Sequence, residues 1–223
     1  MQNAAFAALA LDWAYVALDV EPERLGTAVA GLVALGFVGA NVTIPHKTAV
    51  IEHCDEVDEE ARRAGSVNTL VLRDGRVHAS STDGLAVVEA VDVQDARVLV
   101  LGTGGAAKAV ASALEDAGAA HVATASRRDA EWPPDAAGAD VVVNATPVTD
   151  SVLVELRPEH RIVDLAYRPD GSPTELVRAA RSLGCDVVDG LDVLVRQGAA
   201  SFERWTGVAA PVDVMRAALT SST

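Results

Sequence analysis

Lysine is nearly absent from this sequence, and one of its two lysines ends a polar stretch, GANVTIPHK at residues 39–47. Lys47 ends this stretch and Lys108 is the other lysine. Apart from histidine, every other basic side chain is an arginine. An arginine side chain stays protonated in proteins, whereas a lysine ammonium can release a proton and take one up. Lys47 therefore indicates a site that transfers a proton, a task that arginine could not perform.

Polar side chains also lie at the ends of predicted strands. Thr43 lies in the first stretch, Asn68 in SVNT and Asp83 in STDG. Each has an ordinary structural explanation, as a strand residue, a turn residue and a helix N-cap respectively. A polyhydroxylated substrate requires such groups together, because each hydroxyl that is buried needs hydrogen-bond partners. The combination predicts a site for a hydroxylated small molecule.

A glycine-rich turn follows in LGTGGAAKA. Gly102, Gly104 and Ala107 have the spacing G-x-G-x-x-A between a predicted strand and a predicted helix. Glycine lets backbone N–H groups approach a pyrophosphate, and the helix N-terminus adds partial positive charge. An ordinary strand-to-helix turn is the alternative, but the flanking pattern favours a dinucleotide site.

The end of the next predicted strand bears on the choice of dinucleotide. An acidic residue there would hold a ribose 2′-hydroxyl, but the sequence reads Ser126-Arg127-Arg128. Two guanidinium groups can bind a 2′-phosphate through paired hydrogen bonds, which predicts NADP rather than NAD. Alternatively one or both arginines are merely solvated, and the negative charge of Asp129 beside them opposes a phosphate.

The elements that must position these residues fall into two halves. In the first half the pattern predicts helices over 3–11, 22–35 and 47–54 and strands over 13–20 and 37–44. Two more strands flank Asp74 and Gly75, a dipeptide typical of tight hairpins. In the second half it predicts strands over 97–102, 121–126, 140–147, 161–167 and 186–190, and helices over 105–119, 173–184, 191–207 and 211–219. This alternation predicts a parallel sheet covered by helices on both faces, with the segment 131–138 a poor helix former.

Composition limits the classes of partner. With 223 residues, half of them hydrophobic, the chain can bury a core of one or two domains. A net charge of −14 argues against nucleic acid and anionic membranes, which would repel it. Cys54 and Cys185 lie outside any CxxC pattern, which predicts reduced thiols in a cytoplasmic protein and no zinc site. We find no transmembrane or targeting pattern.

In their order, seven stretches resemble the shikimate dehydrogenase family: GANVTIPHK, AGSVNTL, STDG, GTGGAAKAV, VVNATPV, VDLAYRP and GLDVLVRQGAASFERWTG. The resemblance implies an α/β fold with a substrate domain over 1–83 and a doubly wound, Rossmann-like NADP-binding domain over 84–189. C-terminal helices over 190–223 would return to the first domain, with the active site in the cleft between the domains.

The resemblance also implies roles for individual residues. Lys47 and Asp83 would be the catalytic pair, with Lys47 donating a proton to the carbonyl oxygen of 3-dehydroshikimate as hydride arrives. Substrate contacts would come from Thr43, Asn68, Tyr167 and Gln197. NADP contacts would come from Gly102, Thr103, Gly104, Gly105, Ala106, Ser126, Arg127, Arg128, Asn144, Thr146 and Gly190. No metal is expected.

The sequence departs from the family at its start. The family's GxPIxHSxSPxxHN loop, with two serines that bind the substrate carboxylate, would end near Met1, and Gln2 stands where the family has histidine. The family's first strand would then be missing, which should expose sheet edges and weaken carboxylate binding. A start codon assigned too late, a true truncation and a strand supplied by another subunit are the explanations. Ser81, residues 149–150 and the short segment 129–140 are smaller departures.

Two classes of function follow. The first is an NADP-dependent shikimate dehydrogenase of the cytoplasm, a monomer or homodimer that makes aromatic precursors and binds neither nucleic acid nor membranes. A quinate/shikimate dehydrogenase is its close variant. The second class is a non-catalytic NADP-binding paralogue whose substrate half has decayed. Retention of Lys47, Asp83, Asn68 and Gln197 favours catalysis, and the missing serines oppose it.

Overall fold

The fold of this chain is described by a computed structural model, which covers residues 1–220. The helices are Gln2–Ala8 (α1), Leu25–Ala34 (α2), Glu59–Ala64 (α3), Asp83–Val88 (α4), Gly105–Asp116 (α5), Glu175–Leu183 (α6), Gly190–Thr206 (α7) and Val212–Thr220 (α8). The strands are Gly39–Asn41 (β1), Glu56–Val57 (β2), Thr69–Arg73 (β3), Arg76–Ser80 (β4), Arg97–Leu101 (β5), His121–Ala125 (β6), Val141–Asn144 (β7), Arg161–Asp164 (β8) and Asp186–Val188 (β9). Residues 221–223, the end of the predicted C-terminal unit, lie outside the described residues. Within 1–220, no helix combines the length and the apolar character needed to cross a membrane.

The first sheet has four strands in the order β1-β3-β4-β2. Strands β3 and β4 form an antiparallel hairpin in which Leu72 lies opposite Val77. Its turn places Asp74 (φ 53°) and Gly75 (φ 75°) in the left-handed region, as a two-residue type I′ turn requires. The predicted hairpin is confirmed.

The second sheet has five parallel strands in the order β6-β5-β7-β8-β9. Successive side chains of β5 enter opposite cores: Val98 and Val100 pack with α4 and α5, whereas Leu99 and Leu101 pack with α6. A strand that is covered on both faces must be apolar at every position, which explains the unbroken run VLVL. The predicted parallel sheet with helices on both faces is confirmed.

Helix α7 connects the two sheets. Near its start Val193 packs in the core of the second sheet. Near its end the indole N–H of Trp205 donates to the carbonyl of Leu70 in β3 at 2.8 Å. Helix α8 then packs on α1, where Met215 and Phe6 share a small core. The prediction that the C-terminal helices return to the first half is confirmed.

The predicted strand over 13–20 is wrong. Residues 11–21 form neither helix nor strand, and Val16 and Leu18 are 53% and 58% exposed. A strand exists only where a neighbour accepts its backbone hydrogen bonds, and here the Asn3 side chain takes that role at one residue, bonding both the N–H and the carbonyl of Tyr15. Within residues 1–220, β1 likewise has β3 as its one neighbouring strand.

The prediction missed short elements, of which α3 had a readable signal. Helix α3 begins after Asp58 with two glutamates and ends at Gly65, which is left-handed (φ 61°). Acidic residues in the first turn and glycine after the last are the usual helix boundaries. Strand β2 has two residues, too few for the alternation of apolar and polar residues to be recognised. The segment 131–138 has neither helix nor strand, as predicted.

Candidate active site

A cavity of about 710 Å³ lies between the two sheets, where the ends of several strands meet. The first half of the chain contributes Thr43, Lys47, Asn68 and Asp83 to its wall, and residues 14–18 line one side. The second half contributes Ala106, Thr146, Tyr167, Gly190 and Gln197. The structure thus brings together side chains that are up to 154 positions apart in sequence, from Thr43 to Gln197.

Lys47 and Asp83 form an ion pair in the wall of this cavity. Lys47 Nζ lies 2.5 Å from Asp83 Oδ2, and their side chains are 17% and 10% exposed. The backbone of Lys47 is held in turn, because its carbonyl accepts from Val67 N–H at 2.8 Å. Asp83 is the first residue of α4. A positive proton donor is therefore held in place by a carboxylate and still reaches the cavity.

Asn68 joins this pair to α7. Its Oδ1 accepts from the N–H of Thr82 (2.8 Å) and the hydroxyl of Thr69 (2.9 Å). Its Nδ2 lies within hydrogen-bond distance of Asp83 Oδ1 (2.9 Å), Thr82 Oγ1 (2.9 Å) and Gln197 Oε1 (3.2 Å). An amide nitrogen has two hydrogens for these three acceptors. The Thr82 hydroxyl itself donates to the carbonyl of Gln197 at 3.1 Å, so the two amide hydrogens can serve Asp83 and Gln197.

Other predicted contact residues are less enclosed. Tyr167 is 47% exposed and Thr43 is also exposed at the cavity wall. The Gln197 side chain points its Nε2 to the carbonyl of Leu194 at 3.2 Å. Thr43 and Tyr167 can therefore turn toward a ligand at little cost, whereas Gln197 would first give up a hydrogen bond.

Sequence reasoning missed Asn41, which also lines the cavity. Its Nδ2 donates to Ser201 Oγ (3.0 Å) and to the carbonyl of Asn68 (3.2 Å), and its Oδ1 accepts from the Tyr15 hydroxyl (3.0 Å). The signal was available, because strand residues two apart point to the same side and Asn41 precedes Thr43 by two.

The glycine-rich turn has the form that a pyrophosphate requires. Gly102 has φ +118°, a conformation that other residues rarely adopt, and a Cβ there would lie 3.1 Å from the carbonyl oxygen of Ala145, closer than ordinary contact. Gly104 caps α5, whose first N–H groups are free of intrahelical partners as at every helix start. Within this turn Ala106 reaches the cavity. The residues present thus fit a dinucleotide whose phosphates rest on the α5 N-terminus.

The candidate adenosine end lies outside the cavity, at the end of β6. Arg127 and Arg128 are exposed there. The carboxylate of Asp129 accepts from the backbone N–H of Ser126 at 2.6 Å and from its hydroxyl at 3.3 Å. Asp129 thus occupies a donor that a 2′-phosphate could use, while the two guanidinium groups remain open to solvent.

Two predicted cofactor residues play different parts in the structure. Asn144 is 1% exposed, and its amide bonds Asp164 (2.9 Å) and the hydroxyl of Thr146 (2.7 Å) rather than the cavity. Gly190 does line the cavity, and a Cβ there would lie 2.1 Å from the carbonyl oxygen of Ala166. Among residues 1–220, no group of three or more metal-ligating side chains could hold a metal ion.

The position of Asp83 depends on a close helix contact. A Cβ on the next residue, Gly84, would lie 2.5 Å from Ala113 Cβ and 2.7 Å from the carbonyl oxygen of Ala109. We expect Gly84→Ala to force α4 away from α5 and to lower the free energy of unfolding by about 1–3 kcal/mol. Urea denaturation measures this loss.

The matched control is Gly31→Ala in α2, where a Cβ would meet nothing within 4 Å. Alanine favours helix over glycine, so this variant should gain roughly 0.5–1 kcal/mol. A Gly84→Ala variant as stable as the original chain would contradict the close packing of α4 on α5.

Comparison with known proteins points to one family. A model described as "Shikimate dehydrogenase substrate binding domain" matches residues 1–70, and one described as "Shikimate 5'-dehydrogenase C-terminal domain" matches residues 190–220. A shikimate dehydrogenase (NADP(+)) of Moorella thermoacetica is 40% identical to this chain, over 96% of this chain and 85% of its own length.

Solved structures agree on the fold. A Thermus thermophilus shikimate 5-dehydrogenase in complex with NADP(H) and shikimate superposes with a TM-score of 0.88 at 31% identity, over 97% of this chain and 91% of that one. A 5-ketofructose reductase of a Gluconobacter strain reaches the same TM-score, 0.88, at 31% identity, over 98% of this chain and 91% of that one. The backbone shape is therefore shared by enzymes named for different substrates, and side chains must decide between them.

Proposed function

This chain belongs to the shikimate dehydrogenase family, and from that premise we propose that it reduces 3-dehydroshikimate to shikimate with NADPH, reversibly. The observation that carries the proposal is the Lys47–Asp83 pair, 2.5 Å apart in the wall of the cavity that the glycine-rich turn also reaches. The family match and this intact pair do not favour a non-catalytic paralogue.

Reduction of a ketone requires a hydride and a proton, and the bound nicotinamide supplies the hydride. Lys47 donates the proton to the carbonyl oxygen, which becomes the hydroxyl of the product. In the reverse direction the neutral Lys47 amine accepts that proton. Asp83 holds the Lys47 side chain in place through its Oδ2.

We propose Thr43, Asn68, Tyr167 and Gln197 as the residues that bind the substrate hydroxyls. Support comes from their shared position in the cavity wall. Asn68 links this group, since its amide nitrogen lies within hydrogen-bond distance of both Asp83 and Gln197. A substrate with hydroxyl groups can exchange hydrogen bonds with these side chains, whereas a ligand without them would leave polar groups unpaired, which favours a hydroxylated ligand.

For the cofactor, we propose that residues 102–106 bind the pyrophosphate and residues 126–128 the adenosine phosphate. Thr146 and Gly190 would lie at the nicotinamide end, since both line the cavity. Asn144 would act there through its hydrogen bond to Thr146. The corresponding division of the chain is a substrate domain over 1–83, an NADP-binding domain over 84–189 and C-terminal helices from 190.

We also propose that the protein works in the cytoplasm, as a monomer or homodimer without nucleic-acid or membrane partners. The acidic net charge of −14 supports the last point. Burial raises the pKa of the Cys54 thiol to about 11, and it raises the pKa of Cys185 as well. Thiols with raised pKa values react slowly with oxidants, which suits a protein without a disulfide.

The test of function is NADPH consumption with 3-dehydroshikimate, followed by NADP+ reduction with shikimate and, separately, with quinate. We expect turnover in both directions with the shikimate pair. NADP+ binding without turnover of any of these compounds would overturn the catalytic proposal. Turnover of quinate as fast as shikimate would assign the chain to the broader quinate/shikimate activity.

The preference for NADP over NAD can be tested by replacing the two arginines after β6. Replacing Arg127 and Arg128 together by alanine should raise the KM for NADP+ at least about tenfold, while the KM for NAD+ changes less than about twofold, because only NADP+ has the phosphate. Asp129→Asn should act in the opposite direction by removing a negative charge. Equal effects on both cofactors would contradict the assignment of a 2′-phosphate site.

A further inference from the structure

A buried carboxylate behind the cavity joins the loops that follow two neighbouring strands of the parallel sheet. Asp164 ends β8 and is 0% exposed. Its Oδ1 accepts from the backbone N–H of Ala166 (2.9 Å) and from Asn144 Nδ2 (2.9 Å), and its Oδ2 accepts from the Thr174 hydroxyl (2.5 Å). These donors belong to three different segments, so one side chain holds all three together.

On the β7 side, Asp164 is one of the groups that set which way the Asn144 amide faces, because Asn144 Nδ2 donates both to Asp164 (2.9 Å) and to the carbonyl of Val148 (3.3 Å). A carboxylate only accepts hydrogen bonds, so the Asn144 NH2 must turn toward it and Oδ1 must turn away. That Oδ1 accepts from the N–H (3.0 Å) and the hydroxyl (2.7 Å) of Thr146. The turn after β7 is therefore held through Asn144 by the carboxylate.

On the β8 side, the carboxylate holds the turn before Tyr167. The N–H of Ala166 points to Asp164, and its carbonyl faces the start of α7, where a Cβ on Gly190 would lie 2.1 Å away. Thr174 donates to Asp164 and at the same time caps α6 by accepting from the Val177 N–H (3.2 Å). Ala166 is thus held through its N–H, and its carbonyl lies close against the start of α7.

Both turns form the cavity wall, whereas Asp164 does not touch the cavity. Ala145, Thr146 and Pro147 line it after β7, and Leu165, Ala166 and Tyr167 line it after β8. The carboxyl ends of neighbouring parallel strands are where a doubly wound sheet binds its ligand. Any movement of Asp164 would therefore reach this part of the wall from both strands at once.

We propose that Asp164, acting through Asn144 and Ala166, is a positioning residue for the nicotinamide end of the cofactor. This proposal rests on the proposed NADP-dependent reduction. Stability alone gives a poor reason for this side chain, because its three hydrogen bonds come from neutral donors and burial raises its pKa. A fully satisfied buried polar group does, however, hold its neighbours in one arrangement.

The test compares two ligands that differ in the nicotinamide. Calorimetry measures binding of NADP+ and of adenosine 2′,5′-bisphosphate, which lacks the nicotinamide half. For Asp164→Asn we expect NADP+ to bind about tenfold more weakly, the scale of one or two lost hydrogen bonds, and the bisphosphate within about twofold of the original. Equal weakening of both ligands, or of neither, would overturn the proposal.

Two further variants separate positioning from folding. Thr174→Val keeps the shape but removes both the donor to the carboxylate and the oxygen that caps α6. It should shift NADP+ binding in the same direction by a smaller factor, and it replaces Asp164→Asn as the test if that variant does not fold. Thr174→Ser should restore the original affinity. His160→Ala is the stability control, because His160 is buried (1% exposed) just before the opposite end of β8 and its loss should leave NADP+ affinity unchanged.

Turnover by the original chain separates this proposal from the function on which it rests. If the original chain fails to turn over 3-dehydroshikimate with NADPH, the proposed function is wrong. If it turns over normally and Asp164→Asn binds NADP+ as the original does, only the positioning role is wrong.

Discussion

Lys47→Ala will lower the kcat for reduction of 3-dehydroshikimate by about 1000-fold and change the affinity for NADP+ by less than about twofold. The physical reason is that the carbonyl oxygen must receive a proton, and Lys47 Nζ is held in the cavity wall, 2.5 Å from Asp83, where it can donate one. NADPH consumption under saturating substrate gives kcat, and calorimetry gives the cofactor affinity.

Two controls make this result specific to proton transfer. Lys108→Ala removes the other lysine, which is exposed on α5, and should leave kcat unchanged. Lys47→Arg keeps the positive charge but offers a guanidinium that does not release its proton. We expect it to be nearly as slow as Lys47→Ala. If Lys47→Arg retains most of the activity, Lys47 stabilises charge and does not transfer a proton.

Asp83→Asn will lower kcat by about 100-fold, because an amide in this position loses the charge that holds Lys47 and turns an NH2 group toward its ammonium. Asn68 loses little, since Oδ1 of an asparagine can still accept its hydrogen bond of 2.9 Å. Steady-state kinetics with 3-dehydroshikimate checks the prediction, and the KM for NADPH should stay the same.

The double variant decides whether Lys47 and Asp83 act as a unit. When two residues act as a unit, removing either one lowers kcat about as much as removing both. When they act independently, the two fold-losses in kcat multiply. We expect the kcat of Lys47→Ala/Asp83→Asn to be close to that of Lys47→Ala alone. As a matched control, Asp116→Asn breaks the exposed ion pair of Arg63 with Asp116 and should leave kcat unchanged. A fully multiplicative loss would contradict the paired role.

Much of the fold follows from local signals in the sequence. The apolar run VLVL of β5, the turn at Asp74 and Gly75 and the glycines at 102 and 104 each reflect a requirement met within a few residues. Burial on both faces, positive φ angles and a helix start are such requirements. The place of Lys47 and Asp83 at the ends of predicted strands follows as well, whereas Gln197 was expected in the cavity wall only from the family resemblance.

Where a residue needs a partner that is distant in sequence, its conformation was decided only by the tertiary structure. Residues 13–20 have the composition of a strand, yet a strand exists only beside another, and these residues have none within 1–220. The hydrogen bond of Asn144 to Asp164 joins residues twenty positions apart, and the need for glycine at 84 depends on α5. Hydrogen-bond direction and close packing are properties of pairs of groups, and sequence reading sees each group separately.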